Sequence, residues 1–255
     1  MTQQPWRFIP EIVASGAAQM ALDTLLLEQL IADQQAPTLR FYRWHPVAVS
    51  LGYHQKDWPQ HWQSLSFNGQ SVDLVRRPSG GRAVMHQGDL TYAIALPMTG
   101  SRDSAYRQIC DALIAAWQRF DVALDYGRAG GSYRHQANCF ALATAADLIT
   151  PTGYKLIGSA QLRRDRYLLQ HGSLRLWPDA ALSAQVFGQA PSSAVPPPVA
   201  IPLAMDEDWL AQLSAAMVEE LARSLNVRFV TRPLSPDEQS QVTAKAAQFA
   251  IPADP

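Results

Sequence analysis

Cysteine is scarce in this chain: Cys110 and Cys139 are the only two among 255 residues. Two thiols cannot build a disulfide framework for a 28.1 kDa chain. No CxxC pair and no His/Cys cluster has zinc spacing, so a reducing compartment and no structural metal are expected. Neither sign of charge is in excess. Lys and Arg number 21 against 22 Asp and Glu, for a net charge of −1 and a pI of about 6.6. That balance excludes a protein that coats nucleic acid. No apolar run approaches the ~18 residues of a membrane span. The first twenty residues contain Gln3, Gln4, Pro5, Pro10 and Glu11 and lack the basic-then-apolar pattern of a signal peptide. The phosphate loop GxxxxGK[ST], the dinucleotide fingerprint GxGxxG and the GxSxG elbow are all missing. No internal repeat is visible. A cytosolic enzyme or binding protein is the expectation.

Apolar residues make up 47% of the chain and charged residues 17%, which is enough for a large core in one domain over 1–255. Met20, Leu22, Leu26, Leu27, Leu30 and Ile31 predict a helix over 16–34. Strand-like runs follow at 39–44 and 47–52, broken at His45-Pro46. Further strands are predicted at 72–77, 90–96, 146–150, 154–164 and 166–177, with a turn at Thr152-Gly153. The 103–120 stretch reads as a helix whose apolar spacing makes Cys110 a core thiol. Proline-rich 189–204 reads as an irregular connection. C-terminal helices begin near 206: one over 207–225, and one opened by Ser235-Pro236-Asp237-Glu238, a capping box with proline at the first helical position. Strands cluster centrally without strict βαβ alternation, so the fold class is α+β, a mixed sheet with flanking helices.

Four segments carry chemistry. Arg76-Arg77-Pro78-Ser79-Gly80-Gly81-Arg82 follows a strand and leads to His86. Paired glycines let backbone N–H groups approach an oxygen-bearing ligand, and the arginines favour negative charge, although such a turn also suits a plain hairpin. Lys155 precedes Gly158-Ser159-Ala160-Gln161; it is either a strand-end lysine reaching water or a buried, functional one. Cys139 falls outside any amphipathic pattern, which makes it a better nucleophile candidate than Cys110. His171 lies in a strand pattern, where a structural histidine is the plain alternative. No Ser–His–Asp set follows from spacing.

Taken in order, five motifs resemble one family, the biotin/lipoate protein ligase and lipoyl/octanoyl transferase superfamily. Met20-Ala21-Leu22-Asp23 before Leu25-Leu26-Leu27 resembles its MAxDxxLL helix, and 40–44 with 47–52 its RFYRW…AVSLG hairpin. Residues 76–86 with Leu90-Thr91-Tyr92 resemble RRPTGGRAVxH…ELTYS, with Asp89 in place of glutamate and Ala93 in place of serine. Residues 155–161 with His171-Gly172-Ser173-Leu174 resemble KIxGSAQ…HGSL, and 234–238 resemble LTPEE. The resemblance implies the catalytic-domain fold of these ligases.

Within that superfamily the chain is most similar to octanoyltransferases of the LipM type. Cys139 stands sixteen residues before Lys155, where that subgroup has its nucleophile. Arg82 occupies the place of a third glycine that would leave room for an adenylate phosphate, and the chain stops at 255 without the extra domain of long ligases. The resemblance implies Cys139 and Lys155 as catalytic residues. It implies substrate contacts from Arg77, Ser79, Gly80, Gly81, Arg82, His86, Gly158, Ser159 and His171, with no cofactor and no metal. It also implies two partners, octanoyl–acyl carrier protein and the lipoyl domains of 2-oxoacid dehydrogenases or the glycine cleavage H protein, in the cytoplasm, with no nucleic acid and no membrane. Arg163, Arg164 and Arg166 are expected to form a basic docking surface. Two alternatives stay open: an ATP-dependent lipoate ligase, and a non-catalytic relative that only binds acyl groups or lipoyl domains.

Overall fold

A computed structural model of the chain describes residues 5–98, 100–127, 147–188, 197–198 and 200–252. The strands, in chain order, begin with β1 (Pro5–Ala14), β2 (Thr38–Trp44), β3 (Ala48–Leu51), β4 (Ser66–Phe67), β5 (Gln70–Ser71), β6 (Asp73–Arg76) and β7 (Val84–His86). They continue with β8 (Asp89–Pro97), β9 (Asp125–Tyr126), β10 (Asp147–Ile149), β11 (Lys155–Arg164), β12 (Tyr167–Arg175) and β13 (Arg228–Thr231). The helices are α1 (Gly16–Ile31), α2 (Arg102–Gln118), α3 (Ala180–Phe187), α4 (Glu207–Leu225) and α5 (Pro236–Ala246).

Among the described residues, eight strands form one mixed sheet in the order β13-β1-β2-β8-β12-β11-β10-β9, and β6-β3-β7 form a second, smaller sheet. The α+β class is as predicted. Helices α2 and α4 cover one face of the large sheet around Ile109, Leu113, Trp117, Leu213 and Met217. Helix α1 covers the other face, and Ala48 and Val75 of the small sheet pack on its far side. Because α1 is enclosed between two sheets, eleven of its residues are buried and its apolar surface runs almost all round.

Sequence and structure differ in several places. Helix α1 stops at Ile31, three residues short of the predicted end, where Asp33 turns left-handed at φ +56°. The predicted 40–44/47–52 hairpin does not form, because β2 belongs to the large sheet and β3 to the small one. The chain changes sheet at the His45-Pro46 break. Strand β1 has no counterpart in the sequence reading: Pro10 cannot donate to a ladder, and the pairing with β2 shifts register between Ile9 and Ile12. Short β4, β5, β7, β9, β13 and α3 also escape periodicity.

Candidate active site

The two sheets face each other across a cavity of about 250 Å³. The large sheet contributes Tyr42, Trp44, Thr91, Gly158 to Gln161, and His171 to Ser173, with Asp147 at one end. The small sheet and its loop contribute Ser50, Arg77, Gly80, Gly81, Val84 and His86, and α1 contributes Met20. Met20, Trp44, Val84 and Ala160 supply apolar surface, and polar groups sit at fixed points around it.

Two Ser–His–Asp chains brace this cavity. In the first, Ser79 Oγ lies 2.5 Å from His171 Nε2, and His171 Nδ1 lies 2.8 Å from Asp23 Oδ2. Asp23 is fully buried on α1 and pairs with Arg40 at 2.7 Å, while the Tyr42 hydroxyl donates to it at 3.0 Å. Burial opposes ionisation of Asp23, but the Arg40 guanidinium and the His171 hydrogen bond outweigh it and hold the carboxyl below its ordinary value. An ionised carboxylate only accepts, so His171 Nδ1–H donates to Asp23, which leaves Nε2 facing Ser79 Oγ. In the second chain, Arg77 Nη1 donates to Ser50 Oγ at 3.2 Å, Ser50 Oγ meets His86 Nε2 at 2.8 Å, and His86 Nδ1 meets Asp89 Oδ2 at 2.8 Å. Ser173 and Thr91 hydroxyls also donate to Asp89, and the Trp44 ring stacks on His86 at 3.7 Å. Burial pushes His86 below its ordinary pKa against the pull of Asp89, so it is neutral near pH 7.

The chains converge on the 77–82 loop. Arg77, 5% exposed, donates to the carbonyls of Ser50, Gly80 and Arg82 at 2.8, 2.8 and 2.6 Å. Gly81 has φ +97°, which disfavours any side chain. Its carbonyl packs so closely on Gly52 that a Cβ there would lie 1.9 Å from it. The loop is thus pinned by Arg77 from below, by Ser79 to β12 and by Gly52, the residue after β3.

At the opposite wall, Lys155 Nζ pairs with Asp147 Oδ1 at 3.0 Å, each side chain 4% exposed. A Cβ on Gly158 would come within 3.6 Å of both Lys155 Nζ and Asp147 Oδ1. Asp147 and Gly158 line the cavity, and Lys155 stands behind them, its ammonium 3.6 Å from where a Cβ on Gly158 would be.

Residues 15–220 match the family model described as lipoyl protein ligase A/B catalytic domain. The chain belongs to this family. Octanoyltransferase LipM of Carboxydothermus hydrogenoformans is 37% identical over 176 residues, covering 67% of this chain and 65% of that protein. The chain therefore spans less than two thirds of that relative's length. A lipoate-protein ligase A solved bound with ATP superposes with a TM-score of 0.74 at 19% identity, over 96% of this chain and 95% of that one. A bi-partite lipoate protein ligase from Thermoplasma acidophilum, from a study that includes its E2 lipoyl domain, gives 0.66 at 20% identity, over 96% and 93%. These likenesses show the lipoate-ligase fold, as expected from the sequence.

Of the residues singled out in the sequence, Arg77, Gly80, Gly81, His86, Gly158, Ser159 and His171 line the family's cavity. Ser79 stands behind the loop, 1% exposed. Arg82 is not among the lining residues, so its side chain does not fill the cavity as expected; its carbonyl instead accepts from Arg77. Lys155 is buried and paired rather than reaching water. Cys139 lies outside the described residues. Cys110 is fully buried as predicted, and burial pushes its thiol up to about 12. Ser50 and Asp147 escaped the sequence reading, as did the part Asp23 plays. For Asp23 the signal was there: a lone acid amid apolar residues of α1 has to be paired when buried. Among the described residues no group of three His, Cys, Asp or Glu could hold a metal ion, and no helix is long and apolar enough to cross a membrane.

Proposed function

We propose that this chain is an octanoyltransferase of protein lipoylation, acting in the cytoplasm. The observation that carries the reading is the buried Lys155–Asp147 pair, whose Asp147 lines a partly apolar cavity, in a chain 37% identical to a LipM octanoyltransferase. In the first step the Cys139 thiolate attacks the thioester carbonyl of octanoyl–acyl carrier protein. The carbonyl–sulfur bond to the carrier breaks, and the carrier thiol leaves with a proton. In the second, the amine of a lipoyl-domain lysine attacks the Cys139 thioester. An amide forms, the Cys139 sulfur departs, and the amine gives up a proton. Acceptors are the lipoyl domains of 2-oxoacid dehydrogenases or the glycine cleavage H protein. The Lys155 ammonium would hold the oxyanion of each step. Met20, Trp44, Val84 and Ala160 would hold the octanoyl tail, each buried methylene contributing about 0.8 kcal/mol. No metal or free cofactor enters this scheme.

An ATP-dependent lipoate ligase is the second reading. It is favoured by the position of Arg82, which leaves the cavity unobstructed by its guanidinium. The deciding experiment mixes the protein with octanoyl–carrier protein and an apo lipoyl domain in nucleotide-free buffer. The expected result is an octanoyl adduct on Cys139 by mass spectrometry and octanoylated lipoyl domain, both lost in Cys139→Ala. An adduct on Cys110, full activity of Cys139→Ala, or a requirement for ATP with free lipoate as donor overturns the octanoyltransferase reading.

A further inference from the structure

A second cavity, of about 460 Å³, adjoins the first. It lies on the α2 side of the large sheet, and Ser159, Ala160 and Gln161 line both. The sheet topology explains the junction. Strand β10 pairs with β11 only as far as Gly158, opposite Asp147. Beyond that point no described strand pairs with the outer edge of β11, and it is there that Ser159, Ala160 and Gln161 line both cavities. Across the second cavity, α2 presents Arg102, Asp103, Tyr106 and Arg107, a single face at helical spacings of one, four and five. Neither Arg102 nor Arg107 forms an ion pair among the described residues; Arg107 instead stacks 5.2 Å over the Tyr126 ring. Asp103 is the one carboxylate in this wall, and it lies in the first turn of α2.

We infer that this second cavity receives the phosphopantetheine arm of the acyl carrier, with its phosphodiester on Arg102 and Arg107. The inference rests on the octanoyltransferase reading above. An acyl thioester on such an arm has three parts in a line: an apolar tail, a neutral amide chain and a phosphodiester. The described surface presents matching chemistry in the same order. The first cavity offers apolar wall, Ser159 and Gln161 at the junction offer hydroxyl and amide groups, and the far wall offers two guanidiniums without carboxylate partners. Guanidinium is suited to phosphate because its N–H groups match two oxygens at once. Arg163 lies further along the same strand, β11. Its partner in the β11–β12 register is Leu168, which puts it on the same face of β11 as Ser159 and Gln161. Arg164 falls on the opposite face and pairs with Glu28 of α1 at 3.6 Å, and Arg166 stacks on Tyr167. The expected three-arginine patch is therefore divided, and only Arg163 shares the Ser159 and Gln161 face of β11.

The test compares two donors, octanoyl–carrier protein and octanoyl-pantetheine, which has the arm without its phosphate. Kinetics are measured for wild type, the double variant Arg102→Gln/Arg107→Gln and the double variant Arg102→Lys/Arg107→Lys, each checked by thermal melting. The glutamine pair should raise KM for octanoyl–carrier protein by about tenfold or more, with kcat nearly unchanged. Its rates with octanoyl-pantetheine should equal those of wild type, and the lysine pair should recover much of the loss. An unchanged KM for the carrier, or equal losses with both donors, overturns the inference while leaving transfer itself intact. If the wild type uses neither donor and requires ATP, with KM for ATP raised in the glutamine pair, the groove binds nucleotide; the inference and the octanoyltransferase reading then fall together.

Discussion

Lys155 and Asp147 show how a single residue can be both costly and required. Each is almost wholly buried, and their ion pair spans 3.0 Å, with Asp147 lining the cavity. Removing one partner of a buried pair strands the other charge, at about 3–5 kcal/mol, whereas replacing both with apolar groups is far milder. Asp147→Ala should therefore lower the urea midpoint strongly, and the double variant Asp147→Ala/Lys155→Met should recover much of that loss. If Lys155 holds an oxyanion, the double variant should be stable yet slow in both acyl transfers. Recovery of activity along with stability would make the pair purely structural. Sequence alone identified Lys155 but left its burial open, because a lysine beginning an apolar strand fits either a wet end or a buried one. The difference depends on Asp147, eight residues earlier, brought opposite Gly158 by the β10–β11 register. Ser50 was equally invisible, since a serine in an apolar strand becomes notable only when His86 and Arg77 meet it.

At the scale of elements, the 77–82 loop is rigid by construction, and this gives its two glycines different sensitivities. Gly81 needs its left-handed backbone, whereas a Cβ on Gly80 would meet no atom within 4 Å. Gly80 nonetheless lines the cavity. Gly80→Ala should leave the melting temperature within about 2 °C of wild type while raising KM for the acyl donor severalfold, because the methyl group occupies space meant for substrate. A large loss of stability would mean that the loop, not the ligand, needs the glycine. Elements with strong local signals were legible from the sequence: α4 by its apolar stripe, and α5 by its capping box, in which Ser235 and Glu238 bond each other's backbone as expected. Elements made by distant pairing were not. Strand β1 exists because β2 and β13 flank it in parallel, despite two prolines that argue locally against a strand. Likewise, nothing local says that β2 and β3 part to opposite walls of the cavity.

Over the whole molecule, the cavity is only as well defined as the spacing between its two sheets, and α5 fastens one to the other. Glu238, at its first turn, accepts two hydrogen bonds from Arg7 of β1 in the large sheet. The segment after α5 lies along β6 of the small sheet, where Arg76 N donates to Phe249 O and Ile251 N to Leu74 O, at 2.8 and 2.9 Å. Burial works against the Glu238 charge, but the Arg7 hydrogen bonds and the Ser235 N–H prevail and pull its carboxyl from 4.5 to about 2. The sign of the pH effect follows. Between about pH 4.5 and pH 2 the unfolded chain binds a proton at this carboxyl that the folded chain does not, so acid favours unfolding there. The contribution of Glu238 is complete above about pH 4.5, declines as the pH falls, and is gone below about pH 2. Glu238→Gln should therefore be less stable than wild type at pH 7, and the gap between their urea midpoints should close as the pH is lowered through that window. A gap that stays constant down to pH 2 would show that the glutamine disturbs packing and that the carboxylate charge does not hold α5 to β1.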